Sequence, residues 1–209
     1  MIEFIDNLIQ LLAVLSGCIL SGLSYLRSRS QTWFLLCCFY GCFFLASLYW
    51  LLFTFLVTES PPVFYVADIG WISCYLFLLL LQYNLTGQKE RRFQSRVAWL
   101  ALLIEAPLTI YYLLIGDVFY NLIVGVLMTS LLWSVIRGLV WLTTQPQPKQ
   151  GRLHFLIVML LFLGAENGLW LSSYPWAGDT PANPYFWFDF ALTATLLALF
   201  PAVRKAVRS

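Results

Sequence analysis

Seven long apolar runs, each bounded by charged or proline-containing segments, constrain this chain more than any other feature. They lie near residues 5–25, 32–58, 62–83, 97–115, 118–142, 153–171 and 184–203. About 20 apolar residues is the length an α-helix needs to cross the hydrocarbon core of a bilayer, and in lipid only helices or closed barrels satisfy their own backbone. The period-two alternation of a barrel strand does not appear. Seven spans in 209 residues leave no room for an extramembrane domain of useful size, which excludes an appended kinase, nuclease or cyclase. The expectation is an all-α integral membrane protein, multi-pass in a plasma or inner membrane, whose residues 1–209 form a single seven-helix domain.

Composition bears on two narrower points. With 61% hydrophobic and 11% charged residues, the chain falls outside the range of soluble domains. The five cysteines, Cys18, Cys37, Cys38, Cys42 and Cys74, all fall inside spans, where cysteine behaves as a small apolar side chain. No metal site and no cofactor is expected, since Cys38 and Cys42 share a helix face without a histidine or acid nearby. Leu15-Ser16-Gly17-Cys18 has the form of a lipoprotein cleavage site. It follows Glu3 and Asp6 with no Lys or Arg, and its apolar run continues to Tyr25, so this segment reads as a span and not as a processed signal.

Charge fixes the expected orientation. Alternating the connections between two sides puts all twelve basic residues on one side: Arg27 and Arg29; Lys89, Arg91, Arg92 and Arg96; Arg137, Lys149 and Arg152; Arg204, Lys205 and Arg208. Basic loops stay in the cytoplasm, so the chain is expected N-outside and C-inside. The acidic N-terminus and the connections "TESPP", "GD" and "SSYPWAGDTPAN" then face outward. The "GQKERRFQSR" loop reads as a topology determinant, with contact to anionic lipid headgroups as a second role. His154 reads as an interfacial residue at the inner end of its span, and "TTQPQPKQGR" as an extended connector.

Within this oil sit four carboxylates. The run "LLFLGAENGLWL" carries Glu166 and Asn167 between Gly164 and Gly168. Its span inserts all the same: eleven Leu, Ile, Val or Phe residues, at roughly −0.5 kcal/mol each, outweigh one carboxylate at roughly +3 kcal/mol. Asp68, Asp189 and Glu166 each lie five or six residues from an outer span end, roughly 8–9 Å deep at 1.5 Å per residue. Glu105 lies nearer the middle of its span, followed by Pro107, and Asn121 enters its span at the depth of the first three. Helical spacing groups Asp68 with Trp71, Tyr75 and Gln82, Asp189 with Tyr185 and Thr193, Glu105 with Thr109 and Tyr112, and Glu166 with Trp170. Gly164 and Gly168 form a G-x-x-x-G notch for a neighbouring helix, and Glu166 points the other way.

A dry cluster of four carboxylates repels itself, and the outer half of the chain offers no Lys or Arg, so the group needs protons, water or a cation. The candidate ligand- or ion-binding set is Asp68, Glu105, Asn121, Glu166, Asn167 and Asp189 with the aromatics Trp71, Tyr75, Trp170 and Trp187. Such a vestibule suits protons and organic ammonium ions; it does not suit phosphates or nucleic acids.

Spans one to three and five to seven run in the same direction, and the third of each set carries an aspartate near its outer end: "PPVFYVADIGWISCYLF" and "NPYFWFDFALTATLLALF". This is compatible with a 3+1+3 parallel repeat with halves 1–83 and 118–209 and a linker helix 97–115. The layout resembles that of the SWEET sugar transporters and other small seven-helix carriers, on topology and one aspartate per half. It departs from them in lacking their Pro-Gln helix motif, since Pro146-Gln147 lies in a loop. Other seven-helix chemistries lack their residues. The seventh span has no Schiff-base lysine, "LLQYNLT" has no Asp-Arg-Tyr element, no arginine ladder is present, and Gly116-Asp117 follows Leu114, where an intramembrane aspartyl protease has glycine.

These observations lead to a carrier for a small cationic or proton-coupled solute, with Asp68, Glu166 and Asp189 binding the substrate or coupling ion and Glu105 relaying protons. The alternative is a seven-helix ligand-sensing module that signals through a separate protein bound to its basic cytoplasmic loops. Enzymatic activity is not expected; a lipid-acting intramembrane enzyme using paired carboxylates is the minor alternative.

Overall fold

The computed structural model describes residues 2–57, 66–147, 149–173, 175 and 178–208. Eight α-helices follow in order: α1 (Ile2–Ser28), α2 (Gln31–Val57), α3 (Val66–Leu85), α4 (Gln88–Arg92), α5 (Leu100–Ile115), α6 (Val118–Thr143), α7 (Gln150–Ser173) and α8 (Pro184–Arg208). A 3₁₀ turn, Val97–Trp99, leads into α5. Apart from the short α4, all are long and apolar enough to cross a membrane, α5 together with its 3₁₀ turn as Val97–Ile115, seven in total among the described residues. The chain is therefore a multi-pass helical membrane protein. The connector "TESPP" lies outside the described residues, as do residues 62–65 of the third expected span.

The helices form a ring in the order α1, α2, α3, α6, α7, α8, closed by α8 against α1; α5 packs on the outside of α6. Neighbours run antiparallel where close contacts show it: Gly17 meets Tyr40, Thr32 Oγ1 donates to Asn84 Oδ1 at 2.8 Å, and Gly168 meets Phe188. The α1–α2 turn is tight. Its Arg29 adopts the left-handed conformation at φ 53°, and its N–H closes onto Tyr25 O at 2.7 Å, a common way to end a helix.

The centre of the ring is filled by apolar side chains. Phe39, Leu78, Leu131, Met159, Phe162 and Leu196 are fully or almost fully buried, and Phe39 stands edge-on to Phe162 with ring centroids 6.1 Å apart. Lipid offers no hydrophobic drive between helices, so shape decides their packing. Tyr40 shows this. Its hydroxyl donates to Leu196 O of α8 at 2.6 Å, and its ring crosses α1 where a Cβ on Gly17 would lie 2.5 Å from ring carbons. The ring is fully buried and tied at its tip, so it cannot yield. Gly17→Ala is expected to lower stability by about 1–3 kcal/mol through overpacking, read as the midpoint of thermal unfolding in micelles. Gly168→Ala meets the Phe188 ring, which is partly exposed where the Tyr40 ring is enclosed, and is expected to cost less.

Three expectations change here. The G-x-x-x-G notch is half used: Gly168 admits the Phe188 ring of α8, but a Cβ on Gly164 would meet nothing within 4 Å. Asp6, inside the expected first span but read with the outward-facing acidic N-terminus, is buried, 1% exposed, in a helix that begins at Ile2. Five residues of the "GQKERRFQSR" loop, Gln88–Arg92, form α4 with Glu90 buried, and α7 begins early enough to bury Arg152 within it.

Candidate functional site

Near the start of α1, on the side of the bundle away from α4, a cavity of about 400 Å³ opens inside the ring. Its position follows from the helix ends. The N-terminal parts of α1, α3, α6 and α8 and the C-terminal parts of α2 and α7 supply its lining, above the packed layer of Phe39 and Phe162. Asp68 of α3, Asp117 at the start of α6, Glu166 of α7 and Asp189 of α8 line it, with Asn7, Gln10 and Asn121. Trp50, Trp71, Trp170, Tyr75, Tyr120 and Tyr185 form much of the remaining wall. No Lys or Arg lines it among the described residues.

Each acid is held differently. Glu166 is 4% exposed and takes a hydrogen bond from the Tyr75 hydroxyl across the ring. Asp189, 3% exposed, accepts from Gln10 Nε2 of α1 at 2.5 Å. Asp6, one turn before Gln10, lies against Asp189, and neither of its carboxyl oxygens has a hydrogen-bond donor among the described residues. Asp117 caps α6, its Oδ1 accepting from Tyr120 N at 2.8 Å, the usual N-cap contact. Asp68 is partly exposed on the cavity wall and lies within electrostatic reach of the Tyr120 hydroxyl.

The structure brings together seven of the ten residues singled out in the sequence: Asp68, Trp71, Tyr75, Asn121, Glu166, Trp170 and Asp189 all line this one cavity. Glu105 and Asn167 do not line it. They bond to each other, Asn167 Nδ2 to Glu105 Oε1 at 2.9 Å, beside a recess of about 20 Å³ between α5, α6 and α7 that shares Asn121 and Trp170 with the main cavity. The reason is the place of α5 outside the ring: Glu105 reaches α7 from the flank. Trp187 is 65% exposed and donates through Nε1 to Pro181 O at 3.0 Å; two residues before Asp189, it falls on the opposite face of α8.

The candidate set left out Asn7, Gln10, Trp50, Asp117 and Tyr120 of the lining, named Tyr185 only on the stripe of Asp189, and left out Asp6, which lies against Asp189 without lining the cavity. For α1 a signal existed. Asp6, Gln10, Ala13, Val14, Gly17 and Ser21 are all buried and follow one helical stripe that leads from polar to small residues.

Comparison of the chain with protein-family models, curated proteins and solved structures finds no match.

Proposed function

We propose that this protein is a membrane carrier for a small cationic or proton-coupled solute, lying N-outside and C-inside, with the cavity as its outward-facing binding site. The observation that carries this reading is the convergence of Asp68, Asp117, Glu166 and Asp189 from four segments on one aromatic cavity without a basic residue among its described lining. Carboxyls from four segments on a wall whose described lining holds no Lys or Arg favour a cation, and the lining Trp50, Trp71 and Trp170 are of the residue type whose ring faces stabilise ammonium groups by about 0.5–2 kcal/mol each. About 400 Å³ lies within the range of small-molecule sites. Asp6 against Asp189 supports coupling to protons, because two buried carboxyls that meet favour a proton or a cation between them. The orientation rests on the basic residues of the connections.

One observation favours the second reading, a sensing module without transport: beneath the cavity the ring is filled by Phe39, Leu78, Leu131, Phe162 and Leu196, so a solute bound above has no path onward in this conformation. The two readings separate in one preparation. Purified protein titrated with tetramethylammonium and choline is expected to show a saturable change in tryptophan fluorescence that Glu166→Gln weakens at least tenfold. Proteoliposomes loaded with radiolabelled choline then report flux. Binding with counterflow supports the carrier, binding without flux supports the sensor, and absence of both sinks the cation site.

A further inference from the structure

The opposite end of the bundle carries a second cavity, of about 550 Å³, between α3, α5 and α6. We infer that this cleft binds the phosphate headgroup of an anionic membrane lipid, with Arg91 and Arg137 as its charged contacts and the acyl chains running outward between α3 and α5.

The charge balance points to an anion. Arg91, Arg137 and Arg152 converge here, and Arg152 engages Glu90 at 2.8 Å. Glu90 is the one carboxylate hydrogen-bonded in this group, and no carboxylate lines the cleft among its described residues. Arg91 has neutral partners only: Nε donates to Thr86 O at 3.0 Å, Nη2 to Tyr83 O at 2.8 Å, and the guanidinium rests on the Tyr83 ring at 3.7 Å. Arg137 is less satisfied still. Its side chain is buried over the Trp133 ring at 4.5 Å, its single hydrogen bond among the described residues reaches Arg91 O at 3.5 Å, and its Nε has no partner. Glu90, engaged by Arg152, is also within electrostatic reach of Arg137, so three guanidiniums share one carboxylate, and the two that line the cleft match a phosphate, which accepts from several donors at once.

The shape points to a lipid as the source. Because α5 packs on α6 and leaves α3 without extensive contact, the cleft opens sideways between two membrane-spanning helices, where acyl chains lie. Its apolar flank is Leu79, Tyr83, Trp99 and Leu102, of which Tyr83 is 57% and Trp99 64% exposed on the outside of the bundle. Tryptophan and tyrosine at such a level sit among headgroups, and basic pockets between helices are where anionic lipids dock.

The test uses the full chain reconstituted in phosphatidylcholine vesicles carrying a small fraction of pyrene-labelled phosphatidylglycerol, or of pyrene-labelled phosphatidylcholine as reference, with energy transfer from tryptophan to pyrene as the readout. Transfer is expected to be several-fold higher for phosphatidylglycerol. Arg91→Gln and Arg137→Gln are each expected to remove most of that preference, bringing the ratio of transfer for the two lipids down by about twofold or more, with Arg137→Lys keeping much of it. Arg91 is partly exposed, so its variant remains informative if Arg137→Gln fails to fold. Equal transfer from both lipids, or a preference unchanged in Arg91→Gln, would overturn the site. Abolition of the preference by millimolar inorganic phosphate would reassign it to a soluble anion and overturn the lipid.

Discussion

Replacing Glu90 by leucine is expected to lower the stability of the folded bundle by about 3–5 kcal/mol, the cost of removing one partner from a buried ion pair. Glu90 and Arg152 are 6% and 5% exposed and meet at 2.8 Å. The guanidinium is held further by Gln82 Oε1 at 3.0 Å and Thr86 Oγ1 at 2.9 Å, and Gln82 Nε2 passes the network on to Ser134 O at 3.3 Å. Four elements, α3, α4, α6 and α7, thus meet on one charged pair. Room for it comes from Gly138 of α6, where a Cβ would stand 2.9 Å from Glu90 Oε1. The loss of Glu90 is expected to exceed that of Arg152. Without Glu90, three arginines share the site with no counter-charge, whereas Arg152→Leu leaves Glu90 beside Arg137, with which it interacts electrostatically. The double variant Glu90→Leu/Arg152→Leu is expected to lose less than the two single losses added together. Unfolding midpoints by circular dichroism in micelles check this; single variants within about 0.5 kcal/mol of the parent would mean that the pair is solvated and worth no more than a surface ion pair.

This network also shows what the sequence conceals. Glu90 and Arg152 lie at span ends, where a charge ordinarily contacts water or headgroups, and nothing in one dimension pairs residues 62 positions apart. The spans themselves are legible, because their length and apolarity are set by the thickness of the bilayer and do not depend on partners. The depth of Asp68, Glu166 and Asp189 follows from counting along each helix, and their shared cavity follows from depth plus the inward face. Rotation and lateral position are another matter. Asn167 stands about 100° around α7 from Glu166, far enough to face α5 instead of the ring, and only the placement of α5 on the flank of α6 shows that Glu105 meets Asn167 there. Trp187 could have been removed from the set by the same count that turned Glu166 away from Gly164 and Gly168. Asp6 was hidden by its nearness to the first residue, where an acidic side chain reads as solvent-facing.

Asp189→Asn is expected to weaken tetramethylammonium binding at neutral pH on the order of 100-fold, since a charge removed about 5 Å from a cation at an effective dielectric near 20 is worth roughly 3 kcal/mol. Asp6→Asn is expected to act in another way. Asp6 does not line the cavity, so its loss leaves affinity at neutral pH within several-fold of the parent. It does alter what acid can do. In the parent, a proton added between Asp6 and Asp189 competes with the bound cation, so binding falls as the pH falls. In Asp6→Asn an amide donor stands where the shared proton would sit, and the pH dependence of binding is expected to flatten. Affinity for tetramethylammonium measured across pH for the two variants separates the roles. Undiminished binding by Asp189→Asn would remove this carboxylate from the site, and an unaltered acid profile in Asp6→Asn would leave Asp189 to exchange its proton without help from α1.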